Sequence, residues 1–229
     1  MTRLFPGRFF WYFLILSIVL VSGIAAVVVQ SAFQTPSSGP FNKTELQEHY
    51  DYHVTFVMPF LEKAYLRLLL TNSGVALFIL LVPLFWVWIW WFRRDMIDPV
   101  ILMMQVSVGV LVWALGHNSF TRLFTLYRTL PADVTLTMYL PHGIPEMLAF
   151  ILAGTFSLLC IDALKKFLEE KKDCPGFHPG EISLFVFGRV WFWFILVVVL
   201  IAAAAAIECR VTPVLVKEEL ETALQQMQA

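Results

Sequence analysis

Five long apolar runs dominate this chain and restrict it to one class of fold. Each run is close to the ~20 residues that an α-helix needs to cross a hydrocarbon core of about 30 Å. The runs occupy residues 9–29, 72–92, 99–116, 142–161 and 184–207. Charged residues make up only 14% of the chain, whereas soluble domains carry about 25%. The sequence therefore predicts an all-α, polytopic membrane helix bundle with about five transmembrane helices.

The polar segments outside these runs give no sign of a second domain. In residues 44–70, apolar side chains recur at roughly helical spacing (Phe56, Phe60, Tyr65 and Leu69), which predicts an interfacial amphipathic helix at the membrane surface. Residues 214–229 are polar and rich in Glu and Gln, so they predict a tail that is either a short helix or disordered. We therefore treat residues 1–229 as a single membrane domain.

Charge and cysteine usage exclude two further classes of protein. The net charge is −1, so no global field recruits nucleic acid. The three cysteines, Cys160, Cys174 and Cys209, are too scattered for a disulfide framework or a metal knuckle. We interpret them as two small apolar core residues and one loop thiol.

Two histidines in the amphipathic segment raise the question of a metal site. His49 and His53 lie four residues apart, with Asp51 between them. A metal site needs more than two ligands, and no third ligand stands at suitable spacing. We therefore interpret this pair as part of a solvated helix face.

The stretch 140–156, LPHGIPEMLAFILAGTF, concentrates polar groups at the head of the fourth apolar run. Pro141 suits the first turn of a helix, where no backbone donor is needed, so we expect a helix to begin near Pro141 or His142. His142 and Glu146 would then lie one turn apart on one face, and the helix dipole would favour the carboxylate. Inside a membrane, such a carboxylate needs protein, water or a partner to face.

Three elements of the sequence resemble one known family. The motif LPHG is followed after two residues by Glu146, and the second apolar run opens with Asn72-Ser73-Gly74. The fifth run ends in five alanines, an isoleucine and Glu208, and Thr212-Pro213 follows. Together these elements resemble the stage II sporulation protein M family of multi-spanning membrane proteins, over residues 72–213.

This resemblance carries an expectation about function. It implies an integral membrane component of a multiprotein assembly, because members of the sporulation branch are similar to scaffolds that help to assemble a cell-wall-degrading complex. Many relatives lie outside spore formers, so a role in sporulation does not carry over. The chain departs from the family pattern at Pro145, and a second family-like asparagine is placed only loosely, at Asn118.

The basic residues near the ends of the runs predict the orientation in the membrane. Crowding of Lys and Arg in short loops marks the cytoplasmic side. This rule places the N-terminus in the cytoplasm and the C-terminus outside, with these residues inside: Arg3, Arg8, Arg93, Arg94, Lys165, Lys166, Lys171, Lys172 and Arg189. The margin is thin by number, because seven basic residues fall outside: Lys43, Lys63, Arg67, Arg122, Arg128, Arg210 and Lys217.

With this topology, several polar residues reach the same depth, just within the outer leaflet. They are His142, Glu146, Glu208, Asn72 and Asn118. In the simplest interpretation they form a buried hydrogen-bond network that ties helix ends together. His142 and Glu146 would pair or share a water, and Glu208 would accept from Asn72, His142 or a backbone end.

Three functions remain open for this polar cluster. Catalysis would need a metal or a nucleophile, but the patterns H-E-x-x-H and G-x-S-x-G are absent. Transport would use charges along the spans, yet few lie at mid-membrane and no inverted repeat is visible. The third function is binding of partner proteins, which the family resemblance favours.

We therefore predict a non-enzymatic integral membrane subunit or scaffold of a multiprotein envelope complex. No catalytic residue, metal ligand or cofactor is assigned. The expected partners are the lipid bilayer and other membrane proteins or further copies of the chain, and not nucleic acid. The alternatives are a transporter or channel component, or an intramembrane metal-dependent hydrolase.

Overall fold

The computed structural model describes residues 5–32, 43–92, 95–127, 130–171, 173–174 and 177–227. These residues form seven α-helices and, within the described ranges, no strand. The helices are α1 (Phe5–Ala32), α2 (Lys43–Tyr52), α3 (Met58–Phe92), α4 (Ile97–Tyr127), α5 (Ala132–Lys171), α6 (Pro179–Ala206) and α7 (Thr212–Gln226). Five helical stretches are long and apolar enough to cross a membrane, which confirms the prediction of an all-α bundle.

Two of the five stretches are composite helices joined by π-helical turns. His53–Val57 links α2 to α3, and Ile207–Val211 links α6 to α7. The resulting helices, Lys43–Phe92 and Pro179–Gln226, have 50 and 48 residues. Because about 20 residues suffice to cross the hydrocarbon core, each helix exceeds a single span by nearly 30 residues.

A proline follows each π turn after one intervening residue. Pro59 comes two residues after Val57, and Pro213 comes two residues after Val211. A proline has no N–H with which to continue the i→i−4 ladder, so the preceding turn can widen by one residue. The sequence thus contains a local cause for both π turns.

Helix α5 forms the centre of the bundle. In the most apolar part of α5, 72% of the residues are buried inside the protein, whereas the figure is 22–39% for the other four spans. Its small residues let neighbouring helices approach closely: a Cβ on Gly154 would lie 2.8 Å from a methyl of Leu16 in α1. The large core includes side chains from α1, α3, α4, α5 and α6.

The contact between α1 and α4 depends on two glycines. A Cβ on Gly23 would lie 2.6 Å from the carbonyl oxygen of Trp113, and one on Gly116 would lie 2.8 Å from that of Leu20. These distances are shorter than real Cβ contacts, so the two backbones touch only because neither glycine has a side chain. Close approach of this kind is a common basis of helix association in membranes.

A second, smaller core lies where the composite helices extend past the bundle. Residues of α2, α7 and the start of α5 bury one another, with Leu130 beside them: Leu46, Val134, Val216, Leu220 and Leu224. We call α2, residues 132–141 of α5, and α7 the cap. The Tyr50 hydroxyl donates to Glu221 at 2.8 Å across the cap. The predicted polar tail is therefore helical up to Gln226 and packs against the predicted amphipathic segment.

Ion pairs join the helices at the opposite end of the bundle. Arg8 binds Asp162 at 2.6 Å, linking α1 to α5, and Lys165 binds Asp98 at 2.6 Å, linking α5 to α4. Arg3, Arg93, Arg94 and Lys172, used above to predict orientation, lie outside the described residues, as does Arg128. The three cysteines are free; Cys160 and Cys209 are buried and Cys174 is exposed, as their scattered positions predicted.

Candidate functional site

A cavity of about 540 Å³ lies between the cap and the transmembrane bundle. Helices α3, α4, α5 and α7 and both π turns contribute its walls. All five residues that the sequence predicted to form a cluster line it: Asn72, Asn118, His142, Glu146 and Glu208. We call this space the polar cavity.

The helical register that delivers His142 and Glu146 differs from the prediction. Helix α5 begins at Ala132, so Pro141 and Pro145 lie inside it and Glu146 is about four turns from its N-terminus. The expected dipole stabilisation of Glu146 was therefore wrong, since that effect falls off within the first turn. Pro141 has no N–H to donate to the Thr137 carbonyl, and Pro145 has none for the Pro141 carbonyl. Such missing helix hydrogen bonds are tolerated where neighbouring groups surround the helix.

Gly143, the last residue of the LPHG motif, makes room for Tyr139. A Cβ at this position would lie 2.6–3.0 Å from three atoms of the Tyr139 ring. The ring lies instead across the glycine, contacts His142 edge-on at 5.8 Å between centroids, and forms part of the cavity wall. The motif thus shapes the polar cavity through a glycine and places His142 and Glu146 within it.

His142 is buried and is directed towards the start of α7. Its Nδ1 lies 3.4 Å from Oγ1 of Thr212. No direct hydrogen bond joins His142 to Glu146 among the described residues, and the predicted alternative of a shared water stays a prediction. This contact involves Thr212 of the Thr-Pro ending, so two of the elements that carry the family resemblance meet at this point.

His53 was missed as a cavity residue. It is buried rather than part of a solvated face, and its Nε2 lies 3.0 Å from the backbone carbonyl oxygen of Pro213. Because a carbonyl only accepts, Nε2 carries the hydrogen. The only sequence signal was Pro59, six residues later, which marks the π turn that rotates His53 inwards.

Glu146 and Glu208 line the cavity without a cation. The two carboxylates are near enough to interact electrostatically, and both side chains are half-buried. No Lys or Arg among the described residues forms an ion pair with either of them, and neither accepts a hydrogen bond from that part of the chain. A partly buried carboxylate pair without a counter-ion is unfavourable, so this site is suited to a positively charged group.

Metal binding is not favoured by the arrangement. In the described ranges, no group of three or more His, Cys, Asp or Glu side chains has the geometry to hold a metal ion.

Comparisons with protein-family models, curated proteins and solved structures each give no match to this chain. The inference about function therefore rests on the polar cavity itself and on the sequence resemblance.

Proposed function

We propose that this chain is a non-enzymatic integral membrane subunit, or scaffold, of a multiprotein complex in the cell envelope. In this proposal the polar cavity accepts a basic side chain of a partner membrane protein. The observation that carries it is the pair Glu146 and Glu208, which face about 540 Å³ of open space without a cation from the described residues. A buried interfacial charge pair of this kind gives specificity as well as affinity.

The charge of the surrounding surface supports a basic partner. The three segments of the cap, residues 43–52, 132–141 and 212–226, carry seven carboxylates and two basic side chains. The cap beside the cavity is therefore net acidic, and a partner with Lys or Arg near its membrane boundary would be attracted to it.

An exposed aromatic ridge next to the cavity supports a protein partner. Tyr52, Phe56 and Phe60 are exposed and lie one turn apart along α2, the π turn and α3. Their neighbours His53 and Val57 line the polar cavity. Aromatic side chains are enriched at protein interfaces, and a partner helix lying on this ridge would lie beside the wall of the polar cavity.

The proposed orientation has the N-terminus in the cytoplasm and the C-terminus outside. It is supported by basic residues concentrated at the end of the bundle that holds Arg8, Lys165 and Lys171. The cap and the polar cavity would then lie at the outer face of the membrane, where an envelope complex assembles.

The test is purification of the tagged protein from its own membranes in gentle detergent, followed by mass spectrometry. We expect stoichiometric partners with the wild type, and at least about a tenfold loss of them with Glu146→Gln/Glu208→Gln, given the usual cost of removing a buried charge partner. The matched control is Glu48→Gln/Glu218→Gln, which removes two exposed carboxylates from the cap. Equal recovery from both double variants, or a wild type without partners, would overturn the proposal.

A transporter of small organic cations is the second candidate, because the same carboxylates and cavity would bind such a substrate. The two functions differ in what Glu146→Gln/Glu208→Gln abolishes. Cation uptake into liposomes by the purified wild-type protein, lost in the double variant, would support transport. Loss of partners in the double variant, with no uptake by the wild type, would support the subunit.

A further inference from the structure

A second cavity, of about 270 Å³, lies at the end of the bundle opposite to the polar cavity. Its walls come from α1, α5 and α6. It is lined by three basic side chains, Arg8, Lys166 and Arg189, by Asp162 and Glu170, and by an apolar floor that includes Phe167 and Phe185. We call it the basic crevice.

One of the two carboxylates is already occupied. Asp162 Oδ2 accepts from Arg8 Nη1 and from the Tyr12 hydroxyl, each at 2.6 Å. This arrangement neutralises Arg8 and fixes α1 against α5. Asp162 therefore has little remaining capacity to balance the other two basic side chains of the crevice.

Arg189 is held in place without a carboxylate. Its guanidinium carbon lies 3.5 Å from the centre of the Phe185 ring, and Phe185 in turn stacks on Phe167 at 4.3 Å. Nη1 donates to the Phe185 carbonyl at 3.3 Å, and no carboxylate of the described residues forms an ion pair with Arg189. A guanidinium has five N–H donors in a planar fork, so an ordered and unpaired one is a ready site for a phosphate.

The crevice lies at the depth of a membrane interface. Arg189 is ten residues along α6 from Pro179, which places it about 15 Å inside the end of the helix. The exposed aromatic residues Trp191 and Phe192 come two and three residues after Arg189, and Phe10 and Trp11 come two and three residues after Arg8. Exposed aromatic belts beside basic residues mark the level of lipid headgroups.

We propose that the basic crevice binds the phosphate group of an anionic membrane lipid. Arg189 binds the phosphate oxygens, Lys166 supplies the second positive charge, and the acyl chains lie on the exposed apolar surface below Trp191. Basic pockets between transmembrane helices are known as sites of this chemistry. A free phosphate would use the same donors, but the exposed aromatic residues close in sequence to Arg8 and Arg189 favour a lipid.

The test uses the full-length protein in nanodiscs of phosphatidylcholine with about a fifth phosphatidylglycerol, and native mass spectrometry to count the lipids that remain bound. We expect the wild type to retain phosphatidylglycerol in preference to phosphatidylcholine. Arg189→Gln/Lys166→Gln should reduce that retention by about tenfold or more, as expected for removing charge-assisted hydrogen bonds.

Two controls separate a site from general attraction. Lys165→Gln removes a neighbouring positive charge that already pairs with Asp98, so retention should stay at the wild-type level. Arg189→Lys keeps the charge and should retain more phosphatidylglycerol than Arg189→Gln, even if both variants are less stable. Equal retention by the wild type and Arg189→Gln/Lys166→Gln would overturn the proposal.

A third arm separates lipid from free phosphate. Inorganic phosphate is titrated against the protein in nanodiscs of phosphatidylcholine alone and in the mixed nanodiscs. Retention of phosphatidylglycerol that about 10 mM inorganic phosphate does not displace supports the lipid, since acyl contacts add to the phosphate contact. Binding of inorganic phosphate together with no preference for phosphatidylglycerol would overturn the lipid proposal.

Discussion

At the scale of single residues, the polar cavity contrasts with the ion-paired helix ends on the opposite side of the bundle. The other carboxylates at the bundle ends include Asp98 and Asp162, which have basic partners at 2.6 Å. Glu146 and Glu208 have none among the described residues, and each lies near the other. Groups that reduce stability and are nevertheless present are typical of sites shaped for a ligand or partner.

Neutralising Glu146 should therefore not harm the isolated protein. We expect Glu146→Gln to leave the Tm unchanged or raise it by about 2–4 °C per kcal/mol of relieved repulsion, because glutamine removes one of two interacting negative charges. Thermal unfolding in detergent, followed by tryptophan fluorescence, measures this change. Glu218→Gln on the exposed face of α7 is the control. If the Tm of Glu146→Gln is several degrees below those of the wild type and Glu218→Gln, Glu146 stabilises the fold instead.

The two glycines of the α1–α4 contact give a second prediction at this scale. Gly116→Ala should destabilise the protein by about 1–3 kcal/mol, as overpacking usually does, since the new methyl meets the Leu20 carbonyl. Gly109→Ala is the matched control, because it lies in the same helix with nothing within 4 Å of its Cβ position. Unfolding measured in the same detergent should show a lower stability for Gly116→Ala than for Gly109→Ala. Equal stability of the two variants would contradict the close α1–α4 contact.

At the scale of elements, the two π turns decide which faces meet at the cavity. Each adds one residue to a helical turn, which rotates everything beyond it by about 100° relative to a continuous α-helix. In α2–α3 this brings His53 inwards, and in α6–α7 it directs Val216 and Leu220 into the cap. The bond from His53 Nε2 to the Pro213 carbonyl then joins the two turned helices.

Restoring a backbone donor at one π turn should loosen the cap. Pro213→Ala returns an N–H that can bond the Cys209 carbonyl and favours a regular α-helix, whose register turns Leu220 out of the cap core. We expect amide hydrogen exchange in α7 and α2 to speed up by about tenfold, or ~1.4 kcal/mol, while α4 is unchanged. Pro179→Ala, at the first turn of α6, is the control and should exchange like the wild type; equal protection in all three proteins would show that Pro213 does not hold the π turn.

At the scale of the whole molecule, the helices place two different sites at opposite ends. The basic crevice lies near the start of α6, and the polar cavity lies where that helix continues into α7. The bundle between them is apolar and tightly packed, with α5 at its centre. One face of the membrane therefore carries the lipid chemistry that we propose, and the other carries the proposed partner site.

A native cysteine reports the orientation directly. Cys174 is exposed in the connection between α5 and α6, whereas Cys160 and Cys209 are buried. If the N-terminus is cytoplasmic, a membrane-impermeant maleimide should label Cys174 only in inverted vesicles. Thr222→Cys, on an exposed position of α7, should label in intact cells, and the reverse pattern would contradict the orientation.

Sequence reasoning predicted the class of the fold and the membership of the candidate site. Apolar runs of about 20 residues leave few alternatives to spanning helices, because a backbone in lipid must satisfy its own hydrogen bonds. The same runs suggest a common depth for polar residues at their ends, and the five residues grouped on that basis all line the polar cavity: Asn72, Asn118, His142, Glu146 and Glu208. Their functional role stays a prediction.

Contacts across the fold could not be read in this way. The start of α5 was predicted nine residues too late or more, because prolines normally mark helix starts and neighbouring helices here let α5 continue through both. The direct hydrogen bond between His142 and Glu146 is not formed, since a spacing of one turn brings two residues near but does not choose their partners. His53 was assigned to solvent because the pattern gave no sign that α7 would cover it.

Composition and apolar runs were enough to predict a membrane helix bundle and to show which runs carry polar groups at their ends. These properties depend on local composition and on the fixed rise of a helix, which any reader of the sequence can apply. The tertiary structure adds that the tail and the amphipathic segment pack together as a cap, and that two carboxylates line an open cavity. Those outcomes depend on which side chains meet between distant segments, and packing between segments is set by the whole chain at once.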